Sequence, residues 1–583
     1  MIVYGGQEEL VDSSERFSLI RDLLLSIEKE RFQNHDTIVE LLIEWGVFES
    51  AIADALCSEV DTDSPLLQML RHASLLIGRL FYLSAQRKTS EMGPWFDRLV
   101  RAFENRLTCP LPQRVTLHVP EGYAYYGLYP ESYLEAALRF LGESGPQPAV
   151  CIGVRSIGTS LSAVVAATLE AQGCMVDSYT VRPRGHPFDR SLYLSPLLLA
   201  ALAKRKAFCF LIIDEGPGLS GSSMTSVAGE LGRLGVKDDR IFFFPSWEPD
   251  GSRFRSDAAR QRWPRHRKFT ASFEEIFLER KRLSVFSGGV LRDLSGGRWR
   301  SLFYSSETDF PAAHPQQERR KYLSSGSPMP GATFQESPRL LKFAGLGRYG
   351  RLKQAQAEQL ADAGWGAPVI DWTGGFLATV FVEGRPVSGA KVDSILIETM
   401  ARYLAFRRKA FPATRRRSFD EMIDMIRINI SEGVGESGCD RLDRLEQCRG
   451  FFEEETPVAV DGRMLPHEWL QTPHGYLKAD GIDHHDDHFF PGCQDIAWDL
   501  AGGCVEFGFG IPEERRFVEQ YQSLTQDRSV RDRLAFYKVA YLAYRLGYVS
   551  LAAEALDPSP DAARFKSLFH RYRSLLVREL RLI

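Results

Sequence analysis

Between residues 106 and 290, short apolar runs alternate with helical stretches, and this alternation constrains the fold more than any other feature of the chain. The runs fall at 115–118, 149–154, 175–181, 207–213 and 240–245, and the helical stretches at 132–141, 161–172, 196–204 and 222–234. Buried strands separated by amphipathic helices predict an α/β unit around a parallel sheet. Loops at the carboxyl ends of such strands are where ligands bind in open sheets.

The flanking regions read differently. Residues 1–105 show apolar residues at helical spacing in 19–27, 38–45 and 66–83, with no chemistry-bearing motif, as in a packing or docking domain. Residues 291–338, with SGGRWR, ETDFPAAHPQQERRK and SSGSPMPG, have the Gly, Pro, Ser and charge content of a connector. From 339 to 583 the pattern becomes short strands (340–343, 377–382) followed by long helices. The expected fold class is therefore a multidomain α/β plus α+β protein. Its four parts are a helical segment (1–105), an α/β domain (106–290), a connector (291–338) and a second domain (339–583).

Composition narrows the function classes. The 583 residues suffice for about four ordinary domains, and no disulfide or metal staple is needed to hold them. The net charge of −4, from 72 Lys+Arg against 76 Asp+Glu, argues against an electrostatically driven nucleic-acid binder. Basic stretches at 253–268 and 407–417 lack the aromatic interleaving that single-strand binding uses, and read as solvated or domain-bridging faces. The longest apolar runs, 197–203 and 208–213, are split by Lys204, Arg205 and Lys206, so no membrane span is expected. The nine cysteines show no CxxC spacing, and the start has no basic region ahead of an apolar core. The expectation is a reduced, cytoplasmic protein with small-molecule partners; oligomeric state is not legible.

The first candidate site follows the run 208–213. Two carboxylates, Asp214 and Glu215, lead into a Gly- and Ser-rich loop ending in Ser220, Gly221, Ser222 and Ser223, with a helix after it. Small residues let backbone N–H groups and hydroxyls close around a phosphate at a helix N-terminus, and the carboxylates suit ribose hydroxyls or magnesium. These residues resemble the PRPP-binding signature of type I phosphoribosyltransferases, although the spacer 216–219 is one residue longer than usual and serines replace threonines. The segment 153–160, with Arg155, Ser156, Gly158 and Thr159, stands where that family has its pyrophosphate turn. Arg182 and Arg184 follow the next strand and add cations. The resemblance implies magnesium-assisted displacement of pyrophosphate from PRPP, with Asp214 and Glu215 as catalytic residues holding the ribose.

The second candidate site is marked by density: five of twelve histidines fall within 467–488. One reading is a metal site from His484, His485, His488, Asp483 and Asp487, although no helical ligand spacing is present. The other begins from QDIAWDLA at 494–501, which resembles a segment of aminoglycoside and choline kinase-like phosphotransferases. On that resemblance Asp461 takes the catalytic role, Asp480 or its rival Asp487 binds Mg2+, and His467 or Glu468 stands where a metal-binding Asn is expected. Lys342 and Glu358 would form the phosphate-positioning ion pair, and Glu383 would lie at a hinge. The departures are Ala459 in place of the motif's histidine and the GxGxxG at 345–350, which comes after Lys342 instead of before it and reads as a strand-to-helix turn.

Together the two resemblances imply a bifunctional enzyme. It would transfer (phospho)ribose between PRPP and a nucleobase-like acceptor, and would use ATP and Mg2+ to phosphorylate a small metabolite. The alternative is a nucleotide- and PRPP-binding regulatory protein with a pseudokinase C-terminal half; an RNA-binding protein ranks below both.

Overall fold

The computed structural model describes residues 1–4, 8–105, 110–280, 286, 290–325, 338–388 and 392–582. The α/β expectation is met by a five-stranded parallel sheet. Its order is Val176–Val181, Ala149–Val154, Cys209–Ile213, Ile241–Phe244 and Arg267–Lys268. Alternate residues of its strands enter two separate cores. Ala149, Cys151, Leu211 and Phe244 face one, and Val150, Ile152, Phe210 and Phe243 face the other. Burial on both faces is why these strands read as continuous apolar runs.

One predicted strand belongs elsewhere. Arg114–His118 pairs antiparallel with Glu8–Asp12, and so ties the start of the chain to the α/β part.

The N-terminal helices Ser13–Lys29, His35–Leu56, Pro65–Ala85 and Gly93–Asn105 do not form an independent unit. They close over helix Ile157–Ala171, and two glycines set the approach. A Cβ at Gly78 would lie 2.5 Å from the Ala163 carbonyl oxygen, and one at Gly46 would lie 2.7 Å from the Ser160 Cβ. A single hydrophobic core runs from Phe17 through the parallel sheet to Phe376 and Ala378.

The connector is also part of the fold. Val290–Asp293 and Lys321–Ser325 join Arg339–Phe343, Phe376–Val380 and Val369–Thr373 in a five-stranded antiparallel sheet, in that order. Residues 326–337, which include most of the SSGSPMPG stretch, lie outside the described residues. Helix Arg348–Asp362 packs on this sheet, and the GxGxxG is the turn before it. There a Cβ at Gly350 would come within 2.1 Å of the Gly345 carbonyl oxygen.

Below the sheet lies a helical lobe with its own core, built from Ser394–Ala410, Phe419–Gly433, Ala497–Glu506, Ile511–Thr525, Val530–Ala555 and Pro560–Leu582. The hairpin Trp469–Thr472 and Gly475–Lys478, with Arg385–Pro386 on its edge, links it to the sheet. Among the described residues no helix is long and apolar enough to cross a membrane.

Candidate active site

A cavity of about 980 Å³ opens between the antiparallel sheet and the helical lobe. Leu340, Lys342, Leu377 and Thr379 line it from the sheet, Tyr548 and Tyr572 from the long helices, and Trp299, Phe310 and His314 from the former connector. A polar cluster occupies its centre.

Lys342 sits on strand Arg339–Phe343, opposite Leu377. Its Nζ donates to Asp480 Oδ1 at 2.6 Å and to Asp483 at 3.1 Å. Burial works against this ammonium, but Asp480 and Asp483 outweigh burial and hold it above the ordinary lysine range. The predicted partner Glu358 is not involved: it lies on the exposed face of its helix and accepts from Gln354 at 2.8 Å. Helical phase explains the correction. The buried positions of that helix are Gly350, Lys353, Ala357 and Leu360, of which Ala357 and Leu360 line the cavity, and Glu358 is one residue past Ala357. Glu383 is exposed as well, whereas its neighbours Phe381 and Val382 line the cavity.

Asp461 does not line the cavity; it lies beneath the floor at 0% exposure. Tyr403 donates to its Oδ2, Lys478 Nζ stands 3.2 Å from its Oδ1, and Arg407 lies 4.0 Å away. Burial opposes its charge, but Lys478, His484 and Arg407 hold the carboxyl below the usual carboxylate range. Asp499, from the QDIAWDLA segment, braces the same turn by accepting from the Asp461 N–H at 2.7 Å and the Gly462 N–H at 2.8 Å. Burial and the Asp461 charge push the Asp499 carboxyl up to about 7.

Among the described residues two groups of possible metal donors have their ligand atoms within 4.8 Å of one another: Asp461, Glu468 and His484, and Asp480, Asp483 and His484. A lysine bridges the carboxylates of each group, Lys478 those of Asp461 and Glu468 and Lys342 those of Asp480 and Asp483, but Asp461 is shut off from the cavity whereas Asp480 and Asp483 both line it. Asp480 and Asp483 fit a magnesium ion that arrives with nucleotide phosphates, since Mg2+ is held by one or two carboxylates plus substrate oxygens.

The other predicted metal residues have different roles. Asp487 pairs with Arg319 at 3.3 Å, and burial is outweighed so that its carboxyl stays below the usual range. His467 stacks on Trp299, 5.5 Å between ring centroids, and burial followed by the Lys478 charge pushes it down to about 4. Of the remaining histidine cluster, His488 meets the Tyr126 hydroxyl at 2.9 Å and stacks with Tyr125, whose own hydroxyl donates to the Asp486 carbonyl. These contacts join the α/β part directly to the cavity's floor loop.

The arginines of the phosphate site foreseen on the parallel sheet are engaged in ion pairs within the chain. Arg155, 2% exposed, is 2.9 Å from Asp54 and paired with Asp61. Arg182 takes Asp54 as well, at 2.7 Å from its Nε, and its N–H donates to Asp61 at 2.7 Å. Arg184 lies 3.0 Å from Asp61. Ser50 completes the filling: its hydroxyl is 2.7 Å from Thr159 Oγ1 and lies against the Ser156 backbone, which is held at φ 112°. Gly158 is packed on the sheet, where a Cβ would meet the Ile213 carbonyl oxygen at 2.6 Å. The three cations expected to receive pyrophosphate thus share two carboxylates of the N-terminal segment, Asp54 and Asp61.

On the other side, Ser220 and Ser222 hydroxyls pair at 2.9 Å, Ser222 donates to the Pro187 carbonyl at 3.0 Å, and Gly221 (φ 63°) lies against Phe254, while Ser222 and Ser223 open the helix. No cation lies within ion-pair distance of Asp214 or Glu215 among the described residues. Burial pushes Asp214 up to about 6, and burial with Glu121 and Asp214 nearby pushes Glu215 up to about 8.

Lys478, Arg319 and Arg463, which line the cavity, and Lys353, buried 3.3 Å from Asp486, were not foreseen. Each is a single basic residue with no motif around it, and only the tertiary fold shows which of them face inward.

No protein-family model matches the chain, and no curated protein matches it. Among solved structures it is similar to choline kinase LicA from Streptococcus pneumoniae, at 16% identity and TM-score 0.36, over 53% of this chain and 99% of that one. A choline/ethanolamine kinase family protein from Mesorhizobium loti gives 16% and 0.34 over 53% and 99%. Spectinomycin phosphotransferase gives 10% and 0.34 over 53% and 97%. At TM-scores this low the likeness carries no weight beside the geometry.

Proposed function

We propose that residues 339–583, walled by 294–319, bind a nucleoside triphosphate and transfer its terminal phosphoryl group to a small hydroxyl compound. The observation that carries this reading is Lys342 reaching across the cavity to Asp480 and Asp483. A lysine on a sheet strand facing two carboxylates on a loop is the arrangement needed to hold polyphosphate on one side and its cation on the other. Leu340, Leu377 and the Phe381–Val382 segment offer the apolar slot for a base. Asp480 and Asp483 would hold a magnesium ion, which neutralises charge developing on the phosphates. The remaining catalysis is positioning: phosphoryl transfer has a loose transition state, so fixing donor and acceptor in line supplies most of the acceleration.

A second reading, nucleotide binding without turnover, is favoured by one observation. Asp461 is closed off beneath Lys478 and does not reach the cavity, so it cannot accept an acceptor's proton in this arrangement. PRPP-dependent ribosyl transfer is set aside, because Arg155, Arg182 and Arg184 are committed to Asp54 and Asp61.

The test is a thermal shift with ATP and Mg2+, followed by γ-labelled ATP incubated with a pool of small hydroxyl compounds. ATP at a hundredfold excess over Kd should add about 2.7 kcal/mol of stability. Labelled product supports transfer, stabilisation without product supports the second reading, and no stabilisation removes both.

A further inference from the structure

The charges lining the cavity are not balanced in their pairing. Each of its carboxylates already has a donor. Glu318 accepts from the Trp299 indole at 3.0 Å and the Gly297 N–H at 2.8 Å. Glu506 accepts from Tyr541 and Tyr572, both at 2.8 Å, and lies 3.3 Å from Arg545. Glu468 is held by Lys478, Asp480 and Asp483 by Lys342, and Asp487 by Arg319. Arg463 is the exception on the cationic side. Its guanidinium lies over the Tyr548 ring, 5.6 Å from the centroid, and has no carboxylate within ion-pair distance among the described residues.

A second polar group at the same end is unspent. His314 lines the cavity at 7% exposure, and its Nδ1 has no hydrogen-bond partner. The cavity lining is rich in aromatic residues, among them Trp299, Phe303, Phe310 and the Tyr548 that Arg463 covers. A cation entering here meets no free carboxylate, whereas an anion meets an open, permanently charged guanidinium that matches carboxylate and phosphate geometry.

We propose that this end of the cavity is an anion subsite. It takes a small molecule with an apolar or aromatic body bearing a carboxylate or phosphate monoester, with Arg463 as counter-ion and His314 as a further hydrogen-bonding group, and it excludes cationic acceptors. The assignment of that molecule as the phosphoryl acceptor rests on the function proposed above; the subsite itself does not.

The test titrates three probes into the full chain by calorimetry without nucleotide: phenyl phosphate, 4-hydroxyphenylacetate and tyramine. The expected result is binding of one or both anions and none of tyramine, the two anions showing which headgroup is preferred. Arg463→Met should weaken the bound anion roughly ten- to a hundredfold, the range of a charged hydrogen bond. Arg463→Lys should retain most of the affinity, with far-UV circular dichroism confirming that both variants are folded. Tyramine binding as well as the anions, no probe binding, or unchanged affinity in Arg463→Met would each overturn the proposal. So would competition between ATP and the anion, which would give the guanidinium to the nucleotide's own phosphate. Anion binding in a protein that ignores ATP would leave the subsite standing and remove the phosphotransferase reading.

Discussion

Lys478 Nζ lies 3.2 Å from Asp461 Oδ1, and the same ammonium reaches Glu468 at 2.7 Å. One side-chain cation thus stands where two carboxylates and His484 would otherwise gather a metal ion. Replacing it tests that substitution directly. Lys478→Met should destabilise the protein by about 3–5 kcal/mol, the cost of leaving a buried charge unpaired. Added Mn2+, a cation that accepts imidazole and carboxylate together, should restore part of the loss in the variant and little in the parent, read as melting temperature.

Lys342 makes a different prediction because it faces the cavity. Lys342→Met should abolish ATP-induced stabilisation and lower intrinsic stability by a similar few kcal/mol, since Asp480 and Asp483 lose their common cation. Glu358→Gln, on the exposed face of the neighbouring helix, should change neither quantity measurably. Equal effects from the two substitutions would contradict the placement of Lys342.

The carboxylates that block the parallel-sheet turn can be removed. Asp54→Asn with Asp61→Asn leaves Arg155, Arg182 and Arg184 without counter-ions. The double variant should be less stable by several kcal/mol and should gain stabilisation from added pyrophosphate that the parent lacks. Melting curves with and without pyrophosphate decide the matter.

Glu215 fixes a pH dependence. Its carboxyl is pushed up to about 8, mainly by burial, so it stays protonated in the folded chain over a range where the unfolded chain ionises it. The stability it contributes is complete below the ordinary glutamate pKa and is lost as pH rises to about 8. Glu215→Gln should therefore flatten the stability profile between pH 5 and pH 8, by an amount on the order of 2–4 kcal/mol, in urea denaturation at each pH.

Periodicity made the elements legible, and pairing remained hidden. The strands Ala149–Val154, Cys209–Ile213 and Ile241–Phe244 were visible as runs because burial on both faces removes polar residues from them. The pairing of Arg114–His118 with Glu8–Asp12 was not, because a strand's partner leaves no mark in its own composition. Residues 291–325 looked like a linker because an edge strand and short turns need little apolar sequence, yet they wall the cavity. At the site, motif spacing singles out Lys342 and Asp480, but it pairs the lysine with Glu358 and gives no sign that Lys342 and Asp480 meet. Arg155, Arg182 and Arg184 suited a phosphate equally well by residue type, and only the fold shows that Asp54 and Asp61 reach them first. Asp461 was foreseen as reactive, and its burial under Lys478 depends on a hairpin register that no motif encodes.

The core that runs from Phe17 to Ala378 has a mechanical consequence for the cleft. The antiparallel sheet shares this apolar core with the parallel sheet and the N-terminal helices, so shifting it alone would uncover buried apolar surface. The wall that carries Lys342 is thus held as firmly as the α/β part itself. Tyr125 and Tyr126 add polar contacts from the α/β part to residues 486–488, on either side of the cavity-lining Asp487.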